Sequence, residues 1–184
     1  AFLLQKYGML FLRGTGMTLL IALTGTALGF ALGLLVAIIR TIALPEKKKA
    51  GSNAGVIVKR GLLRFVHMLM NVYIQVFRGT PMIVQAVVIY YGAQYAGVFM
   101  DTTFAAVFII SINTGAYMAE IIRGGIVSVD KGQFEAAHAI GMTHWQTMTT
   151  VVLPQAIRNI LPSVGNELIV NIKDSSVLNV ISVS

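Results

Sequence analysis

The sequence predicts an all-α membrane protein, a polytopic bundle with about four helical spans. Three observations carry that expectation. Of 184 residues, 56% are hydrophobic and only 11% are charged, against roughly 25% charged in soluble domains. The 26 residues 14–39 and the 22 residues 79–100 carry no charge at all, and about 20 apolar residues suffice for a helix to cross hydrocarbon. The positive charge is gathered into one connector instead of being spread over a surface.

The first span is Gly14 to Ile39. Within it Gly25, Gly29 and Gly33 recur every fourth residue and leave a smooth stripe where another helix backbone can approach closely. The stripe serves packing alone or a sliding contact. From Arg40 to Arg78 come Lys47, Lys48, Lys49, Lys59, Arg60 and Arg64, opposed only by Glu46. Cytoplasmic connectors collect Lys and Arg, so this one is read as cytoplasmic and the N-terminus as outside. The net charge of +7 is thereby assigned to topology, and nucleic acid is excluded as a partner. Pro45 to Gly55 reads as an exposed loop. From Gly61 the residues Leu62, Phe65, Leu69, Val72 and Val76 make an apolar helix, with a polar edge of Arg64, His67, Asn71 and Gln75. That helix lies in the interface or begins the next span.

The second span is Pro81 to Val98, with Thr80 as cap and Pro81 in the first turn. Gln85 is an amide inside it, placed either to meet a solute or to bond another helix. Tyr90, Tyr91 and Tyr95 cluster at its outer end, where aromatic belts lie. After Asp101 the third span, Thr102 to Ile122, returns to Arg123. Glu120 and Arg123, three residues apart, can pair on one helix face.

A short amphipathic helix follows. Asp130 caps it, Gln133 three residues on would complete a capping box, and Phe134, Ala137 and Ile140 give one apolar face. Gly141 suits a left-handed helix end. Thr143 with Gln146 opens the next helix. The fourth span is Val151 to Ile172, in which Pro154 and Pro162 should break the hydrogen-bond ladder. Glu167 and Asp174, two turns apart, share nearly one face. Charges inside a span are costly and usually face a bundle interior or a solute path. These two carboxylates, with Asn166 and Gln85, are the candidate binding groups for a cationic moiety. The alternative is that Asp174 marks the outer interface and Glu167 pairs within the bundle. Ser175 to Ser184 is too short to span a bilayer.

Several chemistries are excluded. With no cysteine there is no disulfide. His67, His138 and His144 lie far apart, and no metal-ligand spacing appears. No nucleophile–base pair can be assembled, so there are no catalytic residues. There is no Gly-rich phosphate loop ending in Lys-Ser/Thr, so the chain itself should not hydrolyse ATP.

The stretch Glu135-Ala136-Ala137, three residues, Gly141, nine residues, Val151, one residue, Leu153-Pro154 resembles the loop that couples ABC-importer permeases to their ATPases. Val151 stands where Ile is more usual. Arg78-Gly79-Thr80-Pro81 with Gln85 and Tyr90-Tyr91-Gly92, then Tyr117 to Ile126 including Glu120 and Arg123, then Asn166 to Ser176, resemble the polar-amino-acid branch of these permeases. The resemblance implies a bundle of the MetI-like permease type, one transmembrane domain over 1–184, with a coupling loop at about 128–154. It implies a multi-pass protein of the bacterial inner membrane that moves a polar or basic amino acid by alternating access. Glu135, Ala136, Ala137 and Gly141 would dock into a groove on an ATP-binding subunit. That subunit would hold ATP and Mg, with no cofactor in this chain. The expected partners are ATP-binding cassette subunits, a second permease chain (identical or not), an extracytoplasmic solute-binding protein or fused domain, the amino acid, and the bilayer. The resemblance implies a fifth helix that is missing at the C-terminal end of this sequence, whether or not by truncation. Beside this reading stand a permease of the same fold for another small solute and a passive channel or membrane scaffold.

Overall fold

The structure is a computed structural model describing residues 2–41 and 54–181. Every regular element among them is helical: α1 (Phe2–Thr41), α2 (Ala54–Gly79), α3 (Met82–Tyr95), α4 (Thr102–Val127), α5 (Lys131–Ala139), α6 (His144–Gln146), a π-helical stretch (Thr147–Val152), α7 (Leu153–Asp174) and a 3-10 stretch (Ser175–Ile181). The Lys47–Lys49 part of the basic connector lies outside the described residues.

The packing centre is α4 against α1. Gly25, Gly29 and Gly33 present a bare backbone to Ile110, Thr114 and Met118, which recur every fourth residue on α4. The fit is close. A Cβ placed on Gly29 would lie 2.6 Å from the Thr114 Cβ, and one on Gly33 would lie 2.5 Å from the Met118 Cβ. Small residues that let backbones meet are the usual basis of helix association in lipid, where no hydrophobic drive exists between helices. The periodic glycines are therefore a packing seam. On the flanks, Ile74 of α2 packs against Val36, Ala116 and Ala119, and Ile160 of α7 packs against Ala37 and Ile122. Leu178 and Ile181 of the 3-10 stretch close the far end against Ala86, Tyr90 and Ile109.

The expected second span is corrected. The helix there is only Met82–Tyr95, 14 residues, or about 21 Å at 1.5 Å per residue, short of the roughly 30 Å of hydrocarbon. Val98 lies beyond it, past a left-handed Gly97 at φ 81°, with Val98 N–H on the Ala93 carbonyl at 2.8 Å. Upstream, Pro81 has no N–H and keeps Thr80 out of helical backbone. α2 therefore stops at Gly79, and α3 leaves at 112° to it. The bent pair α2–α3 has the shape of a broken span or of a re-entrant loop.

Among the described residues, α1 and α4 are each long and apolar enough to cross a membrane, and the bent pair makes a third candidate. α7, 22 residues, is also long enough but too polar to count with them, because Arg158, Glu167, Lys173 and Asp174 lie along it. Pro154 sits in the first turn of α7, where the ladder passes from the π-helical stretch Thr147–Val152 into α-helix; Pro162 is the interior proline. The three tyrosines do not form one cluster. Tyr90 is buried, Tyr91 meets it edge-on at 5.2 Å between ring centres and donates to the Val180 carbonyl at 3.0 Å, and Tyr95 is 97% exposed.

Candidate functional site

Three polar assemblies lie along the bundle, each fastened to α4. The innermost is a clip of uncharged groups. Asn171 on α7 is 2% exposed. Its amide nitrogen donates to Thr26 Oγ1 of α1 at 2.8 Å and to Thr114 Oγ1 of α4 at 2.9 Å. One side chain thus ties three helices together. Thr26 in turn donates to the Ala22 carbonyl at 2.6 Å.

One turn before Asn171, Glu167 faces the same interior and is 7% exposed. Its carboxylate makes no hydrogen bond or ion pair among the described residues. Two charges act on it through space: Asp174, at the end of α7, and Arg78, at the end of α2. Arg78 lies with its guanidinium carbon 5.3 Å from the centre of the Tyr117 ring. Glu167 and Asp174 lie two turns apart on one side of α7, close enough for Asp174 to act on Glu167 electrostatically, with Arg78 as an opposite charge. Asn166 is not part of this group; one residue along a helix is a 100° turn, and it lies exposed. A neighbouring groove of about 500 Å³ between α1 and α7 is lined by Leu23, Phe30, Ile157 and Leu161 among others, without a charged group.

The second assembly surrounds the α2–α3 bend. Gln85 is buried, and its amide nitrogen donates to the Phe77 carbonyl at 2.9 Å, the Thr80 carbonyl at 2.9 Å and Thr80 Oγ1 at 2.8 Å. Its oxygen accepts from Asn113 Nδ2 of α4 at 2.9 Å. A helix that stops inside a membrane leaves its last carbonyls unpaired, and neighbouring side chains must satisfy them. Gln85 and Asn113 do this, and so hold the Arg78-Gly79-Thr80-Pro81 turn against α4. Both atoms of the Gln85 amide are engaged there.

The third assembly is ionic. Glu120 of α4 pairs with Arg123, with Arg123 Nε 3.0 Å from Glu120 Oε2, as the three-residue spacing implies. It also pairs with Arg40 at the end of α1. Nearby, His67 Nε2 lies 3.0 Å from the Ile39 carbonyl, which sets His67 of α2 level with the end of α1.

Beyond that end stands the short helix α5. Asp130 caps it by accepting from Gly132 N–H at 2.6 Å. Gln133 does not complete the box; it accepts instead from Gln155 Nε2 of α7 at 3.3 Å. Ala137 is buried and Phe134 packs beside Val129, Val152 and Ala156, but Ile140 is 79% exposed. It falls on the C-cap, where the backbone has left the helical path, so the expected apolar face ends at Ala137. Gly141 has φ 83°, and Met142 N–H reaches back to the Ala137 carbonyl at 3.0 Å, the closure that a left-handed residue permits. Thr143 and Gln146 form a complete capping box. Glu135, Ala136, His138, Ile140 and Trp145 are all exposed.

Sequence reasoning missed Arg40, Asn113 and Thr114 as partners. Asn113 and Thr114 were the polar interruption of an otherwise apolar span, the signal by which they were findable.

Residues 51–182 match the family described as binding-protein-dependent transport system inner membrane component. The glutamine transport system permease protein GlnP of Escherichia coli (strain K12) is 40% identical over 177 residues, covering 95% of this chain and 72% of that protein. The putative glutamine transport system permease protein GlnP of Rickettsia prowazekii is 37% identical over 171 residues, covering 92% and 70%. A crystal structure of an amino acid ABC transporter with histidines superposes at TM-score 0.83 with 38% identity, covering 97% of this chain and 75% of the other. An inward-facing structure of the MetNI methionine ABC transporter superposes at TM-score 0.66 over 92% of this chain and 73% of the other, and at 22% identity speaks to the fold alone.

Proposed function

This chain belongs to the family of binding-protein-dependent transport system inner membrane components, the permeases of ABC importers, and on that premise we propose that it carries a polar amino acid across the bacterial cytoplasmic membrane. It does so as a multi-pass subunit, paired with a second permease chain and driven by separate ATP-binding subunits, which hold the ATP and Mg. A solute-binding protein or fused domain outside delivers the substrate. Glutamine is the first candidate, since both relatives above are named for glutamine transport.

The observation that carries this reading is Glu167: buried, free of any described partner, and acted on by Asp174 and Arg78. An amino acid is a zwitterion. Its ammonium group suits the Glu167 and Asp174 carboxylates, and its carboxylate suits the Arg78 guanidinium, which offers donors in a planar fork. An uncompensated charge inside a span is expensive, and solute sites are where such charges persist.

Coupling has its own support. α5 is tied to α7 by the Gln133–Gln155 contact and by Phe134, which packs against the Val129–Val152–Ala156 cluster, and the turn just before α5 is held to α7 by Asn159 Nδ2 donating to Ser128 Oγ at 2.9 Å. An ATP-binding subunit gripping Glu135, Ala136 and the Gly141 turn would therefore displace the helix that bears Glu167. Alternate exposure of the site then follows as a rigid-body change of the bundle.

The test is uptake of labelled glutamine and a panel of other amino acids into vesicles holding the complete transporter. Glu167→Gln removes a charge-assisted hydrogen bond worth about 1.5–3 kcal/mol, so apparent affinity should fall about 10- to 100-fold. Unchanged affinity across the panel removes Glu167 from the site. Failure of an ATP-binding subunit to co-purify removes the importer assignment.

A further inference from the structure

α2 has three faces. Met70, Tyr73, Ile74 and Phe77 pack against α1 and α4. Phe65, Leu69, Val72 and Val76 are exposed and apolar, as suits lipid. Between these two faces runs a third, Arg64, His67, Asn71, Gln75 and Arg78, spaced by three, four, four and three residues and so aligned along one side of the helix. Arg64, Asn71, Gln75 and Arg78 are exposed. Asn71 and Gln75 make no hydrogen bond among the described residues.

The placement of this face is anchored at both ends. His67 is held level with Ile39, beside the Arg40–Glu120 pair. Tyr73 donates to the Ile112 carbonyl, in the middle of α4, at 2.5 Å. Asn71 and Gln75 therefore lie about 6 Å and 12 Å inward from His67 at 1.5 Å per residue. At the inner end Arg78 rests on Tyr117 and acts on Glu167. A free amide facing hydrocarbon lacks the hydrogen bonds that water supplies, and such groups are tolerated only where they meet protein or line a wet cavity. The face carries two arginines and a histidine and no carboxylate. Where it meets its own counterpart on a second copy, cation opposes cation, which water accommodates and close packing does not.

We propose that Asn71 and Gln75 line a water-filled passage running along α2 from the Glu167 site to the cytoplasmic face. The proposal rests on the importer reading for its direction. The passage places amide donors and acceptors, then His67 and Arg64, along the route of a departing zwitterion.

The experiment uses the complete transporter in inside-out vesicles. The chain has no cysteine, so Asn71→Cys, Gln75→Cys, Val72→Cys and Val76→Cys each introduce a single thiol. A charged, membrane-impermeant thiosulfonate is added, and labelling is read from the mass of this chain. The reactive species is the thiolate, which forms in water and not in hydrocarbon. N71C and Q75C should therefore label at least about tenfold faster than V72C and V76C. Equal rates at the four positions overturn the proposal. So does quantitative disulfide formation between two N71C or two Q75C chains without labelling, which means the face is a packed contact between copies. These outcomes are independent of the importer assignment, which stands or falls on co-purification of the ATP-binding subunit and on uptake.

Discussion

Replacing Gly33 by alanine sets two effects of opposite sign against each other, and the packing decides between them. Alanine is the better helix former by up to about 1 kcal/mol, so at an open position the substitution stabilises. At Gly33 the new Cβ would lie 2.5 Å from the Met118 Cβ and 2.9 Å from both the Ala119 nitrogen and the Gly115 carbonyl oxygen. Carbon atoms rest at about 3.5–4.0 Å, so the deficit is roughly 1 Å. Two of the three obstacles are backbone, so no rotamer change relieves them and α4 must move away from α1. Overpacking of this kind costs about 1–3 kcal/mol. Set against the full propensity gain, the net loss is at most about 2 kcal/mol, and each kcal/mol corresponds to about 2–4 °C for a chain of this size. The assay is thermal denaturation of the purified transporter in detergent. Gly14→Ala, with nothing within 4 Å of its Cβ, is the control and should leave the Tm level or raise it. Gly25→Ala should fall between them, because the close obstacle there is the Ile110 side chain. A Gly33→Ala protein that melts as high as Gly14→Ala would refute the α1–α4 seam.

Three further outcomes follow from the other assemblies. Gln85→Leu leaves the Thr80 carbonyl without its side-chain donor and removes one of two partners from the Phe77 carbonyl and the Asn113 amide, which keep each other; at about 1–3 kcal/mol for a buried group left unpaired, the Tm should fall by a few degrees, with uptake impaired through a displaced Arg78. Glu120→Gln should destabilise more than Arg123→Gln, since it releases Arg40 and Arg123 together, whereas the half-exposed Arg123 alone costs less than about 1 kcal/mol; a thermal scan of both variants decides. Gly141→Val forces a β-branched residue to φ 83° at a cost of about 1–2 kcal/mol, while Gly141→Asn keeps a residue that tolerates left-handed backbone. ATP-dependent uptake should therefore survive the second substitution better than the first.

What could be read from the residues alone were the properties carried by local spacing. The helical character of Gly14–Ile39 and Thr102–Ile122, the glycine periodicity, the Glu120–Arg123 pair, the Asp130 and Thr143 caps and the left-handed Gly141 all depend on atoms within one or two turns. A single helix fixes those distances wherever it finally packs. The polar seam of α7 was visible in part, because Glu167 and Asp174 share a face by arithmetic. Asn166 lies a 100° turn away from Glu167, because adjacency in the chain is not adjacency on a helix.

Tertiary structure decided the rest. Thr80-Pro81 reads as a helix start, but the 112° turn between α2 and α3 depends on whether a neighbour can receive the freed carbonyls. That neighbour is Gln85 braced by Asn113, 28 residues further on. Arg40 finds Glu120 across 80 residues, and Asn171 reaches Thr26 across 145. No spacing rule spans such separations, because the contacts exist only once the bare glycine stripe of α1 has brought its backbone down onto α4.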